Sequence, residues 1–156
     1  MTTPRALAVA LVAAALLAGC GSDDGEDEQT PSVCLRENGL YRDALGTAPG
    51  EVAFEDGTPI SDCLTPNQSA GDLSRAGELM IQTATELNAI ARKDPGGPAA
   101  IQLGYLVGAI ERGAEGIHAD LVRRVNTAAR FSPEGLLQAK FERTFGEGYA
   151  AGLESG

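Results

Sequence analysis

The segment Pro98-Ala99-Ala100-Ile101-Gln102-Leu103-Gly104-Tyr105-Leu106-Val107-Gly108-Ala109-Ile110 constrains the fold most, because it runs through thirteen residues without a charge. As a helix it is apolar almost all the way round, and such a helix belongs in the middle of a bundle. Ala100, Gly104 and Gly108 fall four apart, on one face. Each of those glycines costs about 1 kcal/mol of helix propensity relative to Ala, so the strip predicts a neighbour whose backbone comes close. Spanning a bilayer is excluded by length: Glu111-Arg112 ends the run well short of the roughly 20 apolar residues a transmembrane helix needs. Pro98 suits the first helical position, and Asp94-Pro95-Gly96-Gly97 separates this helix, over 98–112, from the one before it.

Three more helices are written around it. Over 72–91, Leu73, Ala76, Met80, Ala84, Leu87 and Ala91 recur at three or four, with Asp72 as the expected N-cap. Over 117–130, Ile117, Leu121, Val125 and Ala128 share a face, while Arg123, Arg124 and Arg130 fall largely on the other. Asp120 and Arg124 are placed to pair at i, i+4. Ser132-Pro133-Glu134 announces the last helix, along which Leu137, Phe141, Phe145, Tyr149 and Leu153 recur every four residues. The expected fold is all-α, a four-helix bundle over 72–154.

The first nineteen residues have a different character. A short start bearing Arg5 leads into 6–18, which holds no charged or polar side chain. That is the layout of an export signal. At roughly 1.5 Å per residue the run is about 20 Å long, too short to span hydrocarbon about 30 Å thick. It ends in Leu17-Ala18-Gly19-Cys20, which resembles the lipobox of bacterial lipoproteins. The resemblance implies that a diacylglyceryl group joins the Cys20 thiol, that cleavage follows Gly19, and that the new amine can be acylated too. Two acyl chains anchor stably where one binds marginally, at roughly 0.8 kcal/mol per buried CH2. The expected address is therefore a cell membrane, lipid-anchored on its extracytoplasmic side. The resemblance leaves open which membrane, where there are two.

Removing Arg5 leaves eleven Lys and Arg against twenty-two Asp and Glu, a mature charge of −11. Five of the acids, Asp23, Asp24, Glu26, Asp27 and Glu28, lie in a segment without apolar residues. Such a segment buries too little to offset its ordering entropy, so 20–30 reads as a solvated tether. Residues 31–156 carry seventeen acids and eleven bases, a net of −6 that repels phosphate backbones and argues against nucleic acid as a partner. Cys34 and Cys63 are the two cysteines left after Cys20, and in an exported chain such a pair is most simply a disulfide. Between them lie a short helix within 35–45, a break at Gly46-Thr47-Ala48-Pro49-Gly50, and Val52 to Ile60 as a small hairpin or an irregular loop. Residues 31–71 are thus expected to form an irregular cap stapled to the bundle.

The residues that would carry chemistry are sparse. His118 is the only histidine, and Asp120, two positions on, points elsewhere on a helix, so His118 reads as a surface or boundary residue. There is no Gly-x-Ser-x-Gly elbow, no phosphate-binding loop, and no alternating acidic series of a calcium loop. No cofactor and no metal are expected. Dispersed carboxylates could meet in space as in a glycoside hydrolase, but without Trp the chain has few platforms for sugar rings. Gln102 to Ala109, followed by Gly116 to Leu121, resembles segments of uncharacterised actinobacterial envelope proteins, which implies no activity. The expectation is a non-enzymatic accessory module that works through an envelope protein partner. The alternative is a small-ligand-binding lipoprotein with an apolar cavity between the second and fourth helices, lined by Tyr105, Phe141, Phe145 and Tyr149.

Overall fold

The computed structural model describes residues 29–156, so the export signal, Cys20 and the acidic run lie outside the described residues. Five helices follow one another: α1 (Asn38–Ala44), α2 (Ala70–Ala91), α3 (Pro98–Gly113), α4 (Ala119–Ala128) and α5 (Leu136–Ser155). Single 3-10 turns precede and link them at Ser32–Leu35, Leu45–Thr47, Ile60–Cys63 and Gly116–His118. The four long helices are the bundle, and α1 with the turns around it is the cap.

α3 is the axis of the packing. Ala100, Leu103, Tyr105, Leu106 and Ala109 are completely buried, as a helix apolar on every side requires. α5 is its most extensive neighbour, followed by α2, the Ile60–Cys63 turn and α4. Along the α5 seam the backbones touch. A methyl group on Gly104 would meet the Phe145 carbonyl and come within 2.9 Å of Tyr149 N, and one on Gly108 within 2.9 Å of Leu153 N. The arrangement is reciprocal: a methyl on Gly148 would lie 2.8 Å from the Ile101 carbonyl carbon, and one on Gly152 2.9 Å from Ala109 N. Two Gly-x-x-x-Gly strips therefore face each other, and only residues without Cβ permit that approach.

This close seam turns α5 away from the orientation its large residues predict. Phe141 is buried and Phe145 and Tyr149 are half-buried, but Leu137 and Leu153 are exposed. The seam itself is made by Gly148 and Gly152, so the aromatic row lies beside the contact rather than across it. Phe131, Phe141, Phe145 and Tyr149 make a chain of ring contacts along that edge, with centroids 5.0, 5.5 and 6.3 Å apart.

The helix starts differ from the expected caps. α2 begins at Ala70, and Ser69 rather than Asp72 is its cap, its Oγ accepting the Asp72 N–H at 3.1 Å. Asp72 keeps a role in the first turn, where the helix dipole favours an acid. α5 starts at Leu136 and not at Ser132-Pro133-Glu134, because Gly135 takes φ of +62°, a left-handed conformation that interrupts any helix from Pro133. α4 is shorter than 117–130: the chain first makes the Gly116–His118 turn, and Arg130 lies beyond its end. Asp120 pairs with Arg123 at i, i+3, not with Arg124.

The cap is tied together internally and fixed to the bundle at several points. Cys34 and Cys63 are disulfide-bonded, with Cα atoms 5.5 Å apart, and both are fully buried. Tyr41 on α1 donates its hydroxyl to the Cys34 carbonyl at 2.9 Å and meets the Phe54 ring edge-to-face at 4.9 Å. Asn38 and Arg42 reach Glu86 on α2, while Arg75 of α2 donates to the Leu35 and Arg36 carbonyls. Residues 52–60 form the irregular loop and not the hairpin: the Gly57 N–H closes a turn on the Phe54 carbonyl at 2.8 Å, and no strand occurs among the described residues. The fold also begins one residue inside the expected tether, since Thr30 is buried and accepts a hydrogen bond from Gln68 Nε2.

Candidate functional site

Between α3 and α5, where a cavity was expected, the backbones are in contact through Gly104, Gly108, Gly148 and Gly152, and Tyr105 is buried with its hydroxyl 3.1 Å from Ser155 Oγ. Tyr149 donates to Glu111, which also accepts from Asn126 Nδ2 at 2.9 Å. Those ties hold α3, α4 and α5 together at one end, and the hydrogen bond to Glu111 raises the Tyr149 pKa above its ordinary 10.0.

Concave space is found instead in the cap. A cleft of about 570 Å³ opens between the Ser32–Leu35 turn, α1 and residues 51–56. Its apolar lining is Val33, Leu40, Ala44, Ala53 and Phe54, of which Val33, Ala44 and Phe54 are buried. Phe54 is held by its edge-to-face contact with Tyr41, and Ala44 by the last turn of α1. The size lies within the roughly 300–1,000 Å³ typical of small-molecule sites.

Charge surrounds this apolar floor. Asp43 stands on the α1 wall, and Glu51, Glu55 and Asp56 on the loop wall, with Arg36 as the one basic lining residue. All five are exposed. The net charge of the lining is therefore −3, from four acids and one base. Asp56 accepts the Thr58 N–H at 3.0 Å, and that bond, followed by one from the Thr58 side chain, holds its carboxyl below the usual carboxylate range. None of these residues was singled out by the sequence reading as a site. The signal was the apolar triplet Val52-Ala53-Phe54 running straight into Glu55-Asp56 inside the disulfide loop, where an acidic turn needs no apolar triplet.

His118 is not at the surface. Its ring is completely buried, with Nδ1 accepting the Glu115 N–H at 2.9 Å and Nε2 3.2 Å from Gln68 Oε1. Gln68 Nε2 in turn donates to Thr30 Oγ1 at 2.8 Å and to the Cys63 carbonyl at 2.9 Å. The pair of positions 118 and 120 misled because His118 ends a 3-10 turn and so points inward, while Asp120 is exposed on α4. Burial lowers the His118 pKa below its ordinary 6.5, opposed by the nearby Glu115 carboxylate. The ring closes a network joining the chain entry, the disulfide and the start of α4, a structural position and not an open site. Among the described residues no three His, Cys, Asp or Glu side chains are grouped to hold a metal ion. No protein-family model, no curated protein and no solved structure matches the chain.

Proposed function

We propose that the protein is a lipid-anchored, extracytoplasmic binding module that holds a small ligand in the cleft of its cap. The observation that carries the binding half is the cleft itself: about 570 Å³ over a buried apolar floor, with polar groups on its rim. That combination is what small-molecule sites share. The address half rests on the lipobox resemblance of Leu17-Ala18-Gly19-Cys20 and the apolar run before it. The supporting role of the bundle is to present a rigid wall, since α1 is pinned to α2 through Glu86 and to the Ser32–Leu35 turn through Tyr41.

Extraction of the purified full chain with organic solvent, followed by mass spectrometry, tests the reading. A small molecule present at near one per chain, and lost in an Ala53→Leu variant that narrows the cleft, is the expected result. An empty extract combined with a stoichiometric envelope protein in crosslinked cells would favour the second reading, an accessory subunit. One observation speaks for that second reading: Leu136 is 91% and Leu137 53% exposed where α5 begins, more apolar surface than a helix start needs.

A further inference from the structure

The lining of the cleft also specifies the chemistry of its occupant. Resting on the ligand-binding reading above, we propose that the ligand is a small cationic amphiphile: an amine or other cation on an apolar body. The apolar body would rest against Val33, Leu40, Ala53 and Phe54, and the cation would lie among Asp43, Glu51, Glu55 and Asp56. The acids come from both walls, Asp43 from α1 and the other three from the loop, so a cation held between them meets negative charge on either side. Among the described residues neither Asp43, Glu51 nor Glu55 has an ion-pair partner, whereas Glu86, Glu78, Asp120 and Asp94 do. With four acids against Arg36 the lining keeps a net charge of −3, and a concave surface with such an excess of one sign concentrates ions of the other.

Other occupants fit less well. The acidic run Asp23 to Glu28 joins the chain only four positions before Ser32, and its five carboxylates would be repelled by the rim. A fatty acid or a phosphate ester would bring its charge against the same four carboxylates. A second copy of the chain would bring a net charge of −6 over residues 31–156.

Three dansyl amides of matched length give the test: those of 1,5-diaminopentane, pentylamine and 6-aminohexanoate, which are cationic, neutral and anionic. Each is titrated by fluorescence into the full chain in phosphatidylcholine nanodiscs, with empty discs subtracted. The cationic dye should bind about tenfold more tightly than the neutral one, and the anionic dye more weakly than either. Raising the salt from about 0.05 to about 0.5 M should erase most of that preference. The exposed-rim variants Asp43→Asn and Glu51→Gln, which remove charge without changing shape, should each weaken the cationic dye several-fold and leave the neutral one unchanged. Ala53→Leu should weaken all three. Equal binding of the three dyes, still abolished by Ala53→Leu, overturns the cationic class and leaves the ligand-binding reading standing. Binding of none overturns both. Dimerisation that Ala53→Leu abolishes assigns the cleft to protein contact and overturns the proposal.

Discussion

At neutral pH the His118 ring has to be uncharged, because Nδ1 accepts the Glu115 N–H at 2.9 Å and a proton on that nitrogen would set donor against donor. The proton then sits on Nε2 and is donated to Gln68 Oε1. Burial favours the same neutral form, so the folded pKa lies below the ordinary 6.5. As the pH falls through 6.5 the unfolded chain takes up a proton that the folded chain still refuses, so the unfolded state gains. The stability present above that pH is lost between 6.5 and the lower folded value. Because His118 is the only histidine, this window belongs to it among the side chains with ordinary pKa values. The expected result is a melting temperature that drops as the pH is taken from about 7.5 to about 5. His118→Gln should start lower at pH 7.5 and lose that slope. Thermal melts by circular dichroism across the range decide it, and an equal slope in both proteins would refute the account.

The elements divide into those whose sequence states its own packing and those whose packing depends on a partner. α3 belongs to the first kind: an uncharged run with glycines four apart has one consistent place, at the centre and against another backbone, and that is where it lies. The Cys34 to Cys63 staple and the break into four bundle helices were legible for similarly local reasons. α5 belongs to the second kind. Its row of large residues every four positions outweighs Gly148 and Gly152 in any hydrophobic pattern, yet the glycines make the seam, because they fit the strip already present on α3. The cleft was hidden for a related reason. Its walls come from a turn, a short helix and a loop, and no periodicity links Val33, Ala44 and Phe54. The seam predicts opposite signs for two like substitutions. Gly104→Ala puts a methyl onto the Phe145 carbonyl and 2.9 Å from Tyr149 N, both backbone atoms that cannot step aside. It should cost about 1–3 kcal/mol and lower the melting temperature by several degrees. Gly146→Ala, inside α5 with nothing within 4 Å of the added methyl, should instead stabilise by up to about 1 kcal/mol. Thermal and urea melts measure both, and a rise in both variants would remove the close contact from the picture.

For the molecule as a whole, the proposed sites of attachment and binding are linked by a short stretch of chain. Cys20 and Ser32, on the wall of the cleft, are twelve positions apart, which at full extension is at most about 40 Å. A ligand held there would stay within reach of the surface that carries the lipid. Among the described residues no helix is long and apolar enough to cross a membrane. With a net charge of −11 from Cys20 onward, the mature chain would also be repelled by an anionic bilayer. On the proposed lipid-anchored reading retention would come from acyl chains, and two of them suffice where one is marginal. On the same reading, replacing Cys20 by Ser would take away the thiol for the thioether and leave the apolar run of 6–18 intact, so export should continue while lipidation stops. Labelled palmitate should enter the parent protein and not Cys20→Ser. After a carbonate wash the parent should remain in the membrane pellet and the variant should leave it. A serine variant that still pellets, or that still takes up label, would place the anchor elsewhere and remove the lipoprotein assignment along with it.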